Sequence, residues 1–469
     1  MSELHDECGV FGIFKNDENL DIVEETYLAL YALQHRGEVG AGIAVNNNGT
    51  MVYYKDFGVV PEALPEKELA RLKNGQIALG HVKYAAGGQV DHADLAPLVM
   101  RYSQGQLALC MNGALTNYSE LKKELHKGAA IFQSNGDTEI IAYLIARART
   151  QKGTIEESVQ EAVKQLKGAY AVVLMSPSKL IGVRDAMGIR PLCMGKISEN
   201  YVLTSESCVF DSLGGEFIRD VQPGEMIVID SEGVHSYTEN CGGKTAACIF
   251  EYIFFARPDS VVDGVSVDMA RQRAGIMLAK QCPVEADIVC GVPDCGRSAA
   301  IGYSMESGIP YATGIIKNKY LGRGFRNRKK HNEYIMRIKL NALKNNVEGK
   351  RVIVIDDSIV KGKTSKHIVD LLRNAGAKEV HMRVASPPFK NPCYLTSDTT
   401  GKEDLMAARM TVEEMREYMG ADSLGFLSVD SIKEMAKESS LSICDACFTG
   451  NYPLDVLDTS RKDKYSQKF

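Results

Sequence analysis

The chain lacks any apolar run approaching the ~18 residues that a membrane-crossing helix requires, so a membrane protein is not expected. It also lacks an excess of positive charge: 55 Lys and Arg stand against 60 Asp and Glu, a net charge of −5. That balance argues against a general nucleic-acid binder. The leader MSELHDE is acidic and has no apolar core, so it is not a secretory signal. A cytoplasmic location is therefore expected. In that reducing compartment the twelve cysteines read as metal ligands, nucleophiles or small core residues rather than disulfides. Internal repeats and low-complexity tracts are missing as well.

What is present is a chain of 469 residues, 45% hydrophobic, too long for one ordinary core, so two domains are expected. Short apolar runs separated by glycine-containing turns fill the first ~240 residues, as in "GQIALGHVKYA", "GQLALCMNGAL" and "GAYAVVLM". Helical patterns interrupt them in "EETYLALYALQHRG" and "GDTEIIAYLIARARTQ". Strands with helices packed on them predict a layered α+β domain. A polar segment at 236–246, "SYTENCGGKTA", reads as a linker. From about residue 286 the pattern becomes β-α-β-β-α-β: "ADIVCGVP", "SAAIGYSMESG", "YATGIIKN", "KRVIVIDDS", "KTSKHIVDLLRNAGA" and "KEVHMRVASPP". That alternation predicts a parallel sheet with ligands at the carboxyl ends of its strands.

Four stretches carry chemistry. Cys8 heads the apolar run Gly9 to Phe14 and reads either as a core thiol or as a nucleophile that becomes residue one once its leader is cut. Asp356 and Asp357 end the strand Val352 to Ile355, and Ser358, Lys361, Gly362, Lys363, Thr364 and Ser365 follow at a helix start. Amides and hydroxyls there suit a phosphate, and the carboxylates suit ribose hydroxyls or hydrated Mg²⁺. A nucleotide-binding P-loop would need glycine five positions before Gly362, where Asp357 stands, so that reading fails. Lys317 to Lys330 holds seven basic residues in fourteen and no acid. It reads as an RNA patch, a solvated loop, or a flap over an anionic substrate. Cys444 and Cys447 form a C-x₂-C pair.

The strand-loop motif resembles the 5-phosphoribosyl-1-pyrophosphate (PRPP) loop of type I phosphoribosyltransferases. From Cys8 to about Pro453 the chain resembles the glutamine PRPP amidotransferase family. "QHRGEVGAGI", "SNGDTEI", "EYIFFARPDS", "VEGKRVIVIDDSIV" and "DACFTGNYP" carry the resemblance together. It implies a propeptide of residues 1–7 and an α+β N-terminal-nucleophile glutaminase domain, a four-layer αββα sandwich, over 8–240. An α/β type I phosphoribosyltransferase domain with a cluster-binding tail would follow over 250–469. The implied activity moves the amide nitrogen of glutamine onto PRPP, giving 5-phosphoribosylamine, glutamate and pyrophosphate, the opening of de novo purine synthesis. A homotetramer and inhibition by purine nucleotides are implied too.

By the same resemblance Cys8 attacks glutamine with its freed α-amino group as base. Asn112 and the Gly113 N–H form the oxyanion hole. Arg36 and Tyr84 shape the pocket, Lys83 meets the glutamine carboxylate, and Asp137 holds the ammonium. On the residues alone, "NG" also reads as a hairpin turn, Asp137 as a helix N-cap, and His35 and His81 as structural donors. Asp294 and Gly296 in "GVPDCGRSAAIGY" would cradle pyrophosphate, while Lys317, Tyr320 and Arg323 would close over PRPP. Cys295, Asp356 and Asp357 would flank Mg²⁺. Cys248, Cys393, Cys444 and Cys447 would hold a [4Fe–4S] cluster, with zinc the runner-up.

Departures from the family pattern are Lys83 for arginine, Met111 for histidine and Cys295 for a hydroxyl residue. Lys361 and Lys363 likewise replace arginine and threonine. Lysine has no planar fork for a carboxylate, and a thiol is a poor magnesium ligand. These departures motivate an alternative, a diverged paralogue that binds PRPP or nucleotides as a regulator. An amidotransferase with another acceptor is a second.

Overall fold

Thirteen antiparallel strands built from the short apolar runs make the first half of the computed structural model, which describes residues 8–17, 19–84, 90–318, 338–395 and 401–455. The leader 1–7, Tyr320 and Arg323 lie outside the described residues. One sheet joins β1 (Gly9–Phe14), β2 (Gly40–Asn47), β3 (Thr50–Phe57), β4 (Ile77–Lys83), β9 (Cys193–Ile197), β10 (Asn200–Thr204) and β11 (Glu216–Asp220), in the order 11-9-10-1-4-2-3. The other joins β5 (Leu98–Tyr102), β6 (Gly105–Leu115), β7 (Gly168–Met175), β8 (Leu180–Arg184), β12 (Met226–Asp230) and β13 (Gly233–Tyr237), in the order 13-12-8-7-6-5.

Alternation along each strand divides the apolar residues among three layers. Phe11 and Ile13 of β1 face α1 (Ile22–Ala32), α2 (Val60–Ala63) and α3 (Glu66–Leu72). Val10 and Phe14 meet Ala108, Cys110, Val173 and Leu180 of the second sheet. The far face of that sheet, through Leu109, Met111 and Val172, packs on α4 (Tyr118–Lys127), α5 (Asp137–Arg149) and α6 (Ile155–Val163). The result is the expected four-layer αββα stack. The sheets approach so closely that a Cβ on Gly12 would lie 2.7 Å from Val173 Cγ1.

Beyond Tyr237 the next strand, β14 (Ala247–Cys248), starts after the polar stretch expected as a linker. A short α7 (Cys208–Leu213) precedes it, and a π-type turn at Glu251–Phe255 follows. The hairpin β15 (Val261–Val262) and β16 (Val265–Ser266) then leads into α8 (Val267–Gln281). The transferase sheet is parallel, in the order β17 (Ile288–Gly291), β20 (Arg351–Asp356), β21 (Glu379–Val384), β22 (Ser423–Phe426). Its two faces carry separate cores. Val289, Ile353 and Ile355 pack on α8 and on α9 (Gly296–Ser307). Val352, Val354 and Met382 pack under helices that include α11 (Lys363–Asn374) and α12 (Val412–Met419). The short α10 (Lys344–Val347), α13 (Val429–Met435) and α14 (Ala446–Thr449) complete the helices used here.

Two elements differ from expectation. "YATGIIKN" forms only β18 (Ile315–Lys317), paired with β19 (Leu340–Ala342) on either side of undescribed residues, while Tyr311 bridges to Val289. Residues 267–281 form a helix with no apolar stripe in the sequence to announce it, because the α8 face against α9 is made of small residues. A Cβ on Gly275 would lie 1.9 Å from the Ala299 carbonyl, and one on Gly302 2.0 Å from that of Gln272. β14 pairs in parallel with β23 (Ile443–Cys444), setting Cys248 beside Cys444. Among the described residues no helix is long and apolar enough to cross a membrane.

Candidate active sites

Cys8 immediately precedes β1, between the central strands β4 and β10, and is 3% exposed. The Tyr84 main-chain N–H donates to its sulfur at 3.5 Å. Across the sheet gap, β6 alternates Cys110 inward, Met111 outward and Asn112 inward. Asn112 is completely buried, yet among the described residues neither its amide nitrogen nor its oxygen has a hydrogen-bond partner. Native cores rarely leave such a group unmatched, so this side chain is set for a ligand. Gly113 has φ +122°, and a Cβ there would lie 2.0 Å from the Ala169 carbonyl, so only glycine fits.

Around this pair the charges have definite places. Asp137 opens α5 and accepts the Leu115 N–H at 3.3 Å, while Gly136, not Asp137, occupies the cap position. Lys83 ends β4, where its charge together with burial drives His81 down to about 3. Burial is the larger cause. His81 is thus a neutral imidazole, its Nε2 3.2 Å from the Met111 carbonyl, which fixes the strand just before Asn112. Arg36 stands directly against the nucleophile's main chain. It is buried, donates through Nε to the Cys8 carbonyl at 3.1 Å, and forks onto Glu251 with two 3.0 Å bonds.

At the carboxyl ends of β17 and β20 a second site forms. Asp294 lies in the turn before α9 and pairs with Lys317 at 2.6 Å. Gly296 lets that turn settle on the next strand, since a Cβ there would meet the Ile355 carbonyl at 2.3 Å. Asp356 and Asp357 are both buried, and Ser358 Oγ donates to Asp357 at 2.5 Å. Cys295 lies close enough to Asp357 to favour its carboxylate form. Gly362 takes φ +78° at the start of α11, with Thr364 and Ser365 in its first turn. Lys361 pairs with Asp404 at 3.4 Å, and Met406 N–H donates to the Val360 carbonyl, so residues 404–406 brace the loop. Lys363 is exposed.

Burial pushes the Asp357 carboxyl up to about 6, although Ser358, Arg271 and Cys295 each favour the carboxylate. A carboxyl raised in the folded state contributes its stability below its unfolded value and loses it as pH rises through 6. Asp357→Asn should therefore stabilise the ligand-free protein at pH 8 by roughly 1–3 kcal/mol. The gain should vanish by about pH 4, which urea melts at both values would check.

Cys248, Cys393 and Cys444 share an apolar cluster with Ile189 and Leu395. Burial raises the Cys444 thiol to about 12 and those of Cys248 and Cys447 further, and neighbouring cysteines add to each shift. The β14–β23 pairing sets Cys248 beside Cys444, and Cys447 lies in the adjoining transferase core. Among the described residues, no three His, Cys, Asp or Glu side chains converge as the ligands of a single ion would.

Residues 89–212 match the model of the glutamine amidotransferase domain, and 274–399 that of the phosphoribosyl transferase domain. The amidophosphoribosyltransferase of Bacillus subtilis (strain 168) is 43% identical over 97% of this chain and 95% of its own length. The chain belongs to the amidophosphoribosyltransferase family. That of Archaeoglobus fulgidus is 42% identical over 96% of the chain and 98% of its own length. A solved glutamine PRPP amidotransferase from B. subtilis, complexed with ADP and GMP, superposes with a TM-score of 0.89 at 42% identity. That match covers 96% of this chain and 98% of the other.

In this amidophosphoribosyltransferase fold, the residues not anticipated from sequence are the buried ions Glu206, Glu251, Arg190 and Arg271. One signal was available. Glu251 is a lone acid inside the apolar run "IFEYIFF", and such an acid is buried only with a partner.

Proposed function

We infer that this chain forms 5-phosphoribosylamine from PRPP, glutamine and water, releasing glutamate and pyrophosphate in the first committed step of purine synthesis. The observation that carries the reading is the fully buried Asn112 amide, unpartnered among the described residues, on the strand that faces the Cys8 sheet. The Cys8 sulfur attacks the carboxamide carbon, and the developing oxyanion takes hydrogen bonds from Asn112 and the Gly113 N–H. The thiol proton passes through the base to the leaving nitrogen. The C–N bond breaks, ammonia departs, and water later cleaves the thioester to glutamate. Lys83 and Asp137 hold the two charged ends of the amino acid.

Ammonia then attacks C1 of PRPP as pyrophosphate leaves. The turn at Asp294 to Gly296 receives pyrophosphate, Lys317 meets its charge, and the loop from Ser358 to Ser365 receives the 5-phosphate. Tyr320 and Arg323 complete the closure over PRPP. Asp356 and Asp357 suit the ribose hydroxyls and a hydrated Mg²⁺, which would neutralise the departing pyrophosphate. A soft thiol at Cys295 would add little to that ion's coordination.

The cysteine quartet is the proposed holder of a structural [4Fe–4S] cluster. A zinc ion with ~2.3 Å bonds would draw its four sulfurs onto one centre, whereas a cluster spreads them over separate irons. Such a cluster would have no step in the reaction. Removal of residues 1–7, a homotetramer, a cytoplasmic location and inhibition by purine nucleotides belong to the same proposal.

The test is PRPP-dependent release of glutamate and pyrophosphate in equal amounts from glutamine. Anaerobically purified protein should be brown, with about four irons per chain. Glutamate release indifferent to PRPP and phosphoribosylamine would end the reading, and colourless, iron-free active protein would end the cluster assignment.

A further inference from the structure

Glu251 stands in the π-type turn Glu251–Phe255, whose other side chains, Tyr252, Ile253 and Phe255, are buried in the transferase core. Its own carboxylate leaves that core and reaches the glutaminase layer. There it receives both terminal nitrogens of Arg36 at 3.0 Å each, while the third, Nε, donates to the main-chain carbonyl of Cys8 at 3.1 Å. Arg36, Glu251 and Arg190 are all at most 2% exposed. Arg190 touches Glu251 Oε1 at 3.4 Å and donates to the Leu395 carbonyl at 3.1 Å, so the carboxylate is itself held from behind.

We propose that Glu251 is a positioning residue for the glutamine half-reaction, fixing the nucleophile's main chain through Arg36. The proposal rests on the reading of Cys8 as nucleophile. A guanidinium gripped at both terminal nitrogens by one carboxylate cannot turn in its own plane, so the direction of Nε is set. Cys8 precedes the first residue of β1, outside the strand's own ladder, and Arg36 is the side chain that holds its carbonyl. Glu206 also touches Arg36, at 2.5 Å, but through one nitrogen only. Its remaining acceptor sites are taken by His35, the Arg257 N–H and Ser260, which leaves it unable to replace the fork. Holding the carbonyl holds the adjoining Cα, and with it the spacing between sulfur, α-nitrogen and the carboxamide carbon. Glutamine binding uses other groups, so the effect falls on turnover.

The experiment compares the full-length parent with Glu251→Gln and Glu251→Asp, each assayed at saturating PRPP with glutamine and, separately, with ammonium. The rate of Cys8 alkylation by iodoacetamide is followed by peptide mass. Glu251→Gln should lower kcat with glutamine by about 10- to 100-fold, as expected for ångström-scale misplacement of a reacting group. The KM for glutamine should stay within about threefold, and Cys8 alkylation should slow. Glu251→Asp, which keeps the charge, should recover part of the loss, and its ammonium-driven rate reports that the transferase half is folded. Parent-like glutamine turnover in a folded variant, or an equal fall with ammonium, overturns the proposal. A parent that never uses glutamine overturns the functional reading instead, so the two failures are distinct.

Discussion

Glutamine-dependent phosphoribosylamine formation falls by at least about 10³-fold when Cys8 becomes serine, while formation from ammonium persists near the parent rate. The asymmetry follows from the two-site architecture. Cys8 lies at the head of a central strand of the antiparallel sandwich, whereas Asp356, Asp357 and the Gly362 turn belong to a separate parallel sheet. A serine hydroxyl beside an α-amine is a far weaker nucleophile than a thiol, so the thioester does not form at a useful rate. Ammonia added directly bypasses that step. N-terminal sequencing of the active parent belongs to the same experiment, because the α-amine serves as base only if Cys8 is the first residue. Retention of glutamine turnover in Cys8→Ser would falsify the assignment of the nucleophile.

Asn112→Ala is the second large effect. Loss of one oxyanion donor typically lowers kcat by about 10²–10³-fold, and that range is expected here for glutamine but not for ammonium. Stability should move the other way. Both polar atoms of Asn112 are buried without partners, so the ligand-free fold bears their desolvation uncompensated. Asn112→Ala should therefore melt at or above the parent temperature, offset only by the small cavity it leaves. A fold weakened in step with the lost activity would mean that Asn112 is a structural core residue.

These contrasts bear on how much the sequence revealed. Short apolar runs bounded by glycine-containing turns, such as Gly9 to Phe14 and Gly168 to Met175, were enough to predict strands, and adjacent carboxylates after Ile355 were enough to predict a ligand loop. Local pattern carries that information because each run chooses its own face. The same logic missed α8, where close approach to α9 requires Ala270, Ala274 and Gly275 and erases the apolar stripe. Arg36 marks another limit of local pattern. The motif around that residue marked it as important, but only the tertiary fold reveals that its partners, Glu206 and Glu251, lie 170 and 215 residues away.

The turn at 251–255 is seized from two directions. Arg36 of the first half grips its leading carboxylate, and Arg271 of α8 donates to the carbonyls of Tyr252 and Ala256, both at 2.8 Å. A keystone of this kind forbids modular dissection. Severing the polypeptide within 238–246 and expressing the front portion by itself would strand a permanently charged guanidinium in a dry interior with half its counter-charge gone. The two catalytic halves, however separable their chemistry, share one buried ion network.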